Sequence, residues 1–177
     1  SYATTPTVLF KGGGFNIVTA LVGTVTMSNN VSGGLTKTGT GTLTLSGANS
    51  YTGATTIAAG GTLQIGNGGT TGSLSTGSAI TDNGTLAFNR TNDVTQGTDF
   101  ASVIDGSGGV TQAGSGTLIL NGANTYRGAT AVNAGTIQLG NAQGLGTTDA
   151  GTSVASGAAL DLNGQAVGGE AVTLNGT

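Results

Sequence analysis

One long stretch of this chain occurs twice. Gly34–Gly60 returns at Gly109–Gly135 with 16 identities, among them Gly39, Gly41, Leu43, Leu45, Gly47, Asn49, Tyr51 and Gly53. The offset is constant at 75 until one glycine is dropped after Gly60, and Thr62–Asn67 then matches Thr136–Asn141 at an offset of 74. A period repeated at the level of single residues points to stacked structural units, each covering the face its neighbour leaves open. It also devalues short motifs that occur once per unit, because they are explained by the unit itself.

Within the repeat, short segments alternate apolar and polar residues: Thr42–Leu45, Thr62–Ile65, Thr85–Phe88, Thr117–Leu120, Thr136–Leu139 and Ala159–Leu162. Alternation with a period of two sends successive side chains to opposite faces of a strand. Helical periodicity is absent. Between the strands lie Gly, Asn, Ser and Asp clusters such as Ser46–Asn49 and Asn121–Asn124, residue types that supply positive φ and side-chain-to-backbone turn bonds. Equivalent apolar positions fall at 43, 63, 86, 118, 137 and 160, in steps of 20, 23, 32, 19 and 23. The long step also holds Val103, Ile104 and Val110, so an extra, less regular strand pair is expected inside it.

A meander or a sandwich has no reason to repeat its sequence at fixed spacing. The pattern predicts an all-β fold, a right-handed parallel β-helix (β-solenoid) of roughly eight turns. At about 4.8 Å per turn this is a rod about 40 Å long, with each interior Leu, Ile or Val stacked on its equivalent. Composition agrees. The chain has 36 Gly, 6% charged residues and 4% aromatics, too few large side chains for an ordinary core, so backbone hydrogen bonds between coils must offset the entropy lost on ordering so much glycine. Small residues such as Ala48, Ala54 and Ala129 are expected inside a narrow coil.

The expected organisation is one solenoid over residues 1–177: diverged N-terminal turns in 1–33, a first repeat unit in 34–107, and an incomplete second unit in 108–177. Val8–Phe10, Phe15–Val18 and Val22–Met27 read as strands of the diverged turns, and residues 89–107 read as an irregular lateral loop. Neither end carries a polar cap, and an open coil end exposes unpaired backbone. Self-association through uncapped ends is therefore one expected partnership, a host-surface or matrix glycan or protein another.

Charge narrows the function classes. Lys11, Lys37, Arg90 and Arg127 are scattered and the formal net charge is −3, which offers no footprint for a phosphate backbone, so no nucleic-acid partner is expected. No apolar run reaches the length of a membrane helix and the first residues lack a signal-peptide pattern, so this segment is expected not to insert in a membrane and reads as a mature secreted form or a piece of something longer. The absence of Cys and His removes disulfides, thiolate metal sites and the commonest general base.

The seven acids are Asp82, Asp93, Asp99, Asp105, Asp149, Asp161 and Glu170. Glycoside hydrolysis needs two of them on one face, about 5–9 Å apart. No strand carries such a pair, since Asp161 aligns with Ala87 of the preceding unit, and Asp93, Asp99 and Asp105 read as solvated turn residues. Asp105–Gly109 is a fragment of a calcium-binding Gly-Asp turn without the tandem repetition such coils use, and reads as a simple turn. Gly39-x-Gly41 and Gly114-x-Gly116 are corners, not phosphate loops, because no helix follows them. The outward Thr42 and Thr44 do not extend into a regular threonine ladder, which argues against ice binding, and Tyr51 and Tyr126 read as packing residues before glycan contacts. No catalytic, cofactor-binding or metal-binding residue is assigned, and no cofactor is expected.

The string Leu35–Ile57 through Gly61–Gln64, with its second copy, resembles the passenger-associated repeat of bacterial autotransporters. The two close matches cover rather more than a third of the chain, and weaker similarity, as at Leu86–Arg90 and Ile104–Gly109, extends over most of 34–177. Gln112 departs from the pattern at the position of Lys37, which suggests that the cation is not essential to the coil. The resemblance implies a β-helical passenger on, or released from, the Gram-negative surface. The expected function is therefore a non-catalytic extracellular stalk or adhesin segment; the alternatives are the subunit of a filament built by end-to-end stacking and a polysaccharide-active β-helix enzyme.

Overall fold

The computed structural model describes residues 15–18, 23–25, 33–101 and 103–175, the first two segments by their backbone alone. Val8–Phe10 of the sequence reading lies outside them. The described residues form no helix, and every strand pairs in parallel with its neighbours. One five-stranded sheet contains β1 (Phe15–Val18), β3 (Leu35–Thr38), β5 (Thr55–Ile57), β7 (Ile80–Asp82) and β10 (Ile104–Asp105). An eight-stranded sheet contains β2 (Gly23–Val25), β4 (Gly41–Leu45), β6 (Gly61–Gly69), β8 (Thr85–Arg90), β11 (Gly109–Gln112), β13 (Thr130–Val132), β15 (Thr152–Ala155) and β17 (Val172–Asn175). A four-stranded sheet contains β9 (Val94–Thr95), β12 (Thr117–Leu120), β14 (Thr136–Leu139) and β16 (Ala159–Asp161).

Parallel pairing requires a crossover between partners, and here the crossover is the rest of the coil. Sequence offsets between stacked partners run from 19, for Leu118 and Ile137, to 25, for Thr55 and Ile80. The chain is thus a parallel β-solenoid, the class its alternation and spacing predict. Its longest sheet has eight strands, one per coil; with the first and last described only in part, about six coils are complete, fewer than the roughly eight expected.

The core is a set of axial columns. Leu43, Leu63, Leu86 and Val110 form one; Leu45, Ile65 and Phe88 form another; Val94, Leu118 and Ile137 form a third on the four-stranded side. All of these residues are buried. Each buried Leu, Ile or Phe contributes roughly 1.5–3 kcal/mol through lost water contact, so stability grows with each coil added.

Stacking corrects the spacing argument at its one irregular step. Leu86 pairs with Val110 and Leu118 pairs with Val94, each at a sequence offset of 24. The step from 86 to 118 is one full coil plus one side of the next. The extra strands expected at Ile104 and Val110 are β10 and β11; β9 is not among those expected, and residues 89–107, read as a lateral loop, bury Val94, Gln96, Phe100, Ala101 and Ile104. The Phe88 and Phe100 rings lie 4.8 Å apart at 45°.

As a result the two near-identical repeats occupy different sides of the coil. Leu35 and Leu43 belong to the five- and eight-stranded sheets, whereas their counterparts Val110 and Leu118 belong to the eight- and four-stranded sheets. A second expectation also changes: Ala48, Ala54 and Ala129 are exposed, and the alternate positions Asn49, Tyr51, Thr55, Asn124, Tyr126 and Thr130 face inward.

Candidate functional site

The interior of this coil is more polar than its sequence pattern advertises, and the polar groups hold the corners. Lys37, at the end of β3, is buried and its Nζ donates to the carbonyls of Thr38 and Gly39 at 2.8 Å each. Burial lowers its pKa. Gln112, its counterpart, donates from Nε2 to the carbonyls of Gly114 and Gly116 at 2.9 Å each. Cation and amide thus do the same work of satisfying backbone oxygens that the bend strips from the ladder.

Asp82 closes β7 in the same inward column, two coils beyond Lys37 with Ile57 between. Its Oδ1 accepts from Gly84 N at 2.9 Å, closing an Asx turn, while its buried Oδ2 has no hydrogen-bond partner. Desolvation pushes this carboxyl up to about 6, against the opposing pull of the backbone N–H donors of Gly84 and Leu86. Gly106 in the following coil is compelled here: φ is +110°, and any Cβ would overlap the Asp82 carbonyl.

Both repeats bury their tyrosine. Tyr51 bonds Thr55 Oγ1 at 2.6 Å, which bonds Ser78 Oγ at 2.8 Å; Tyr126 bonds Thr130 Oγ1 at 2.7 Å. Burial raises the Tyr51 phenol to about 12 and raises that of Tyr126 as well. With exposures of 1% and 0%, neither ring can stack on a glycan. The asparagines two residues earlier are buried too. Asn49 Nδ2 donates to Gly47 and Ser73 carbonyls, and Asn124 joins Gln96, Ile104 N and the Gly144 carbonyl.

The acids are dispersed. Asp93 and Asp105 are exposed; Asp99, half-buried, accepts from Thr95 N at 2.8 Å and pairs at 3.6 Å with Arg90, whose Nη1 also donates to the Gly72 carbonyl. Asp99 is therefore a structural anchor rather than the solvated turn residue expected. Asp149 and Arg127 form an exposed pair at 3.9 Å. Asp161 accepts from Gln138 Nε2 and Asn163 N, which lower its pKa, and Glu170 accepts from Thr152 Oγ1 at 2.7 Å. Among the described residues no three such groups gather as a metal site. An open cleft of 320 Å³ is lined by Asn124, Gln143, Leu145, Thr147, Val167 and Glu170, with a single carboxylate. Asp105–Gly109 pairs coil to coil, Ser107 donating from N and Oγ to Asn83 Oδ1 at 3.1 Å.

The repeated design of the rod decides the kinship. The passenger-associated-transport-repeat model matches residues 35–65 and 110–139, the two segments whose corners and tyrosines have just been described. The chain is built on autotransporter passenger repeats. It is 44% identical, in an alignment of 149 positions that covers 68% of the chain, to the adhesin BmaC autotransporter of Brucella suis biovar 1 (strain 1330). It spans 4% of that relative's length. No solved structure matches the chain.

The inward Lys37, Asp82 and Gln112 are not read as interior from sequence, since charged and amide side chains almost always face outward. Their place at strand ends next to Gly-rich corners was the available clue.

Proposed function

We propose that this chain is a non-catalytic segment of a Gram-negative surface or secreted passenger, serving as a rigid stalk and adhesive surface. The single observation that supports this reading is the join of a regular β-solenoid to two passenger repeats, in a chain similar to part of an autotransporter adhesin. The mechanism is mechanical: each coil adds about 4.8 Å of length and fixes the outward side chains at set heights and sides. The scattered acids favour a non-catalytic role, because glycoside hydrolysis asks for two carboxyls held about 5–9 Å apart.

The test is display of the passenger on cells with and without residues 34–175, measuring attachment to host cells and immobilised matrix. Attachment lost on deletion, with no turnover on a glycan panel, is the expected result. Turnover abolished by Asp93→Asn, Asp99→Asn and Asp105→Asn together would replace this reading with an enzyme. A second reading is end-to-end stacking of such coils into a filament. Sedimentation over a concentration series decides it: a single slow species at every concentration removes it.

A further inference from the structure

The pair Asn-Gly occurs at Asn67, Asn83, Asn121, Asn163 and Asn175. Glycine has no side chain to shield its own nitrogen, so this pair is where a backbone nitrogen most readily attacks the side-chain amide before it. That nitrogen must be free to move. Because the pair itself is the same each time, differences between the sites come from the fold.

At two sites the fold occupies the nitrogen. Gly84 N donates to Asp82 Oδ1 at 2.9 Å, and Asn83 is itself held by Ser107, whose N and Oγ donate to its Oδ1 at 3.1 Å. Gly122 is buried and its N donates to Gln96 Oε1 at 2.9 Å. Asn67 and Gly68 lie inside β6, between the Ile65–Phe88 and Gly69–Arg90 pairs. The pair at Asn175 runs beyond the described residues.

Asn163 differs. Asp161 makes an Asx turn here as Asp82 does, but its Oδ1 accepts from Asn163 N at 2.8 Å, so the turn engages the asparagine nitrogen and leaves the glycine nitrogen out. No group of the described residues accepts from Gly164 N. Both residues are exposed, and open space surrounds the glycine. Asn163 is also the one non-glycine residue among those described with a left-handed backbone, at φ 46°, a conformation unfavourable to a residue that carries a side chain.

We propose that Asn163 is a self-modification site, where the chain exchanges an amide for a carboxylate with water as the co-reactant. Gly164 N attacks Asn163 Cγ; the new N–Cγ bond closes a succinimide, the Cγ–Nδ2 bond breaks, and the amide leaves as ammonia with the proton from Gly164 N. Water then opens the ring. Opening at Cγ leaves aspartate, whereas opening at the main-chain carbonyl leaves isoaspartate, whose backbone runs through Cβ and Cγ and no longer has to hold the left-handed φ. Either product removes the Nδ2 donor that caps the Leu139 carbonyl at 3.1 Å and sets a second carboxylate beside Asp161, which loosens β16 from β14.

The test holds the folded chain in mildly alkaline buffer made with heavy-oxygen water and reads each site by peptide mass spectrometry. Asn163 should convert first and take up the heavy oxygen. Asn83 and Asn121 should convert at least about tenfold more slowly, because their glycine nitrogens must first leave a hydrogen bond, and Asn67 should lag as well. In urea, where the fold no longer distinguishes them, the rates at these sites should converge. An Asn163 amide that persists in the folded chain but is lost in urea, a folded-state rate at Asn67, Asn83 or Asn121 equal to that at Asn163, or the same ranking in urea would each overturn the proposal.

Discussion

Asp82 offers the sharpest measurable consequence of a polar interior. Its carboxyl stands at about 6 in the folded coil against an ordinary 3.8, with burial as the main cause. The folded state therefore holds this proton more tightly than the unfolded chain does. Below about pH 4 both states are protonated and the carboxyl imposes no penalty. As pH rises from about 4 to about 6 the unfolded chain ionises first and stability falls; above about 6 both are ionised and the penalty is complete. A rise from 3.8 to about 6 corresponds to about 3 kcal/mol.

Asp82→Asn removes the titration and keeps the shape. The new amide nitrogen in place of Oδ2 lacks a partner, which costs about 1–3 kcal/mol at every pH. That constant part can leave the variant above or below wild type at a given pH, but it cannot change with pH. Urea unfolding at about pH 3 and about pH 8 should show the variant gaining about 3 kcal/mol on wild type across that interval. Tyr126, the phenol that feels this carboxyl's charge, is itself raised and stays neutral throughout. A difference that is flat with pH, or that moves against the variant as pH rises, would refute the burial argument.

Gly106→Ala should cost several kcal/mol more than Gly97→Ala in the same urea assay. Both glycines have positive φ, which costs a side chain about 1–2 kcal/mol, but only Gly106 would press a methyl into the Asp82 carbonyl while Gly97 faces open space. Tyr126→Phe should cost about 1–2 kcal/mol and Tyr51→Phe less, because Thr55 keeps its bond to Ser78 whereas Thr130 loses its side-chain partner; equal losses would show that the hydroxyl relay does nothing. Lys37→Gln should leave the stability within about 0.5 kcal/mol, as Gln112 already performs this bonding, while Lys37→Met should cost about 1–3 kcal/mol by removing the bond to the Gly39 carbonyl. Thermal melts of both read this directly.

Class and strand positions were legible because alternation is a local property. Thr42–Leu45, Thr62–Ile65 and Thr117–Leu120 had only to put Leu and Ile on one side of a pleat, and β4, β6 and β12 do so. Burial inside the turns was not legible, because there the inward side is set by where the bend falls. Ala48 reads as a filler and Asn49 as a turn residue, yet the chain turns so that Asn49 enters and Ala48 leaves. An asparagine can be buried at that place only because the carbonyls of Gly47 and of Ser73, a full coil further along the chain, await its amide.

The misplaced column at 118 has the same origin and a larger consequence. Leu86 and Leu118 are equivalent in sequence, since each ends a Gly-Thr-Leu run that follows a glycine-rich corner. Hydrogen bonding joins Leu86 to Val110 and Leu118 to Val94 instead, because a strand pairs with whatever lies one coil away. Leu35, Thr55, Ile80 and Ile104 mark three coils at a cumulative offset of 69, and the repeat returns only at an offset of 75, past Ile104 and one side further round. Sequence periodicity and structural periodicity therefore differ by one side of the coil. The corner chemistry tolerates the move, as Lys37 and Gln112 show by capping the same backbone carbonyl, that of Gly39 and of its counterpart Gly114, on different edges of the rod. Because β-pairing is indifferent to which side it occupies, a passenger of this kind can copy one stable unit and still present it in a new direction.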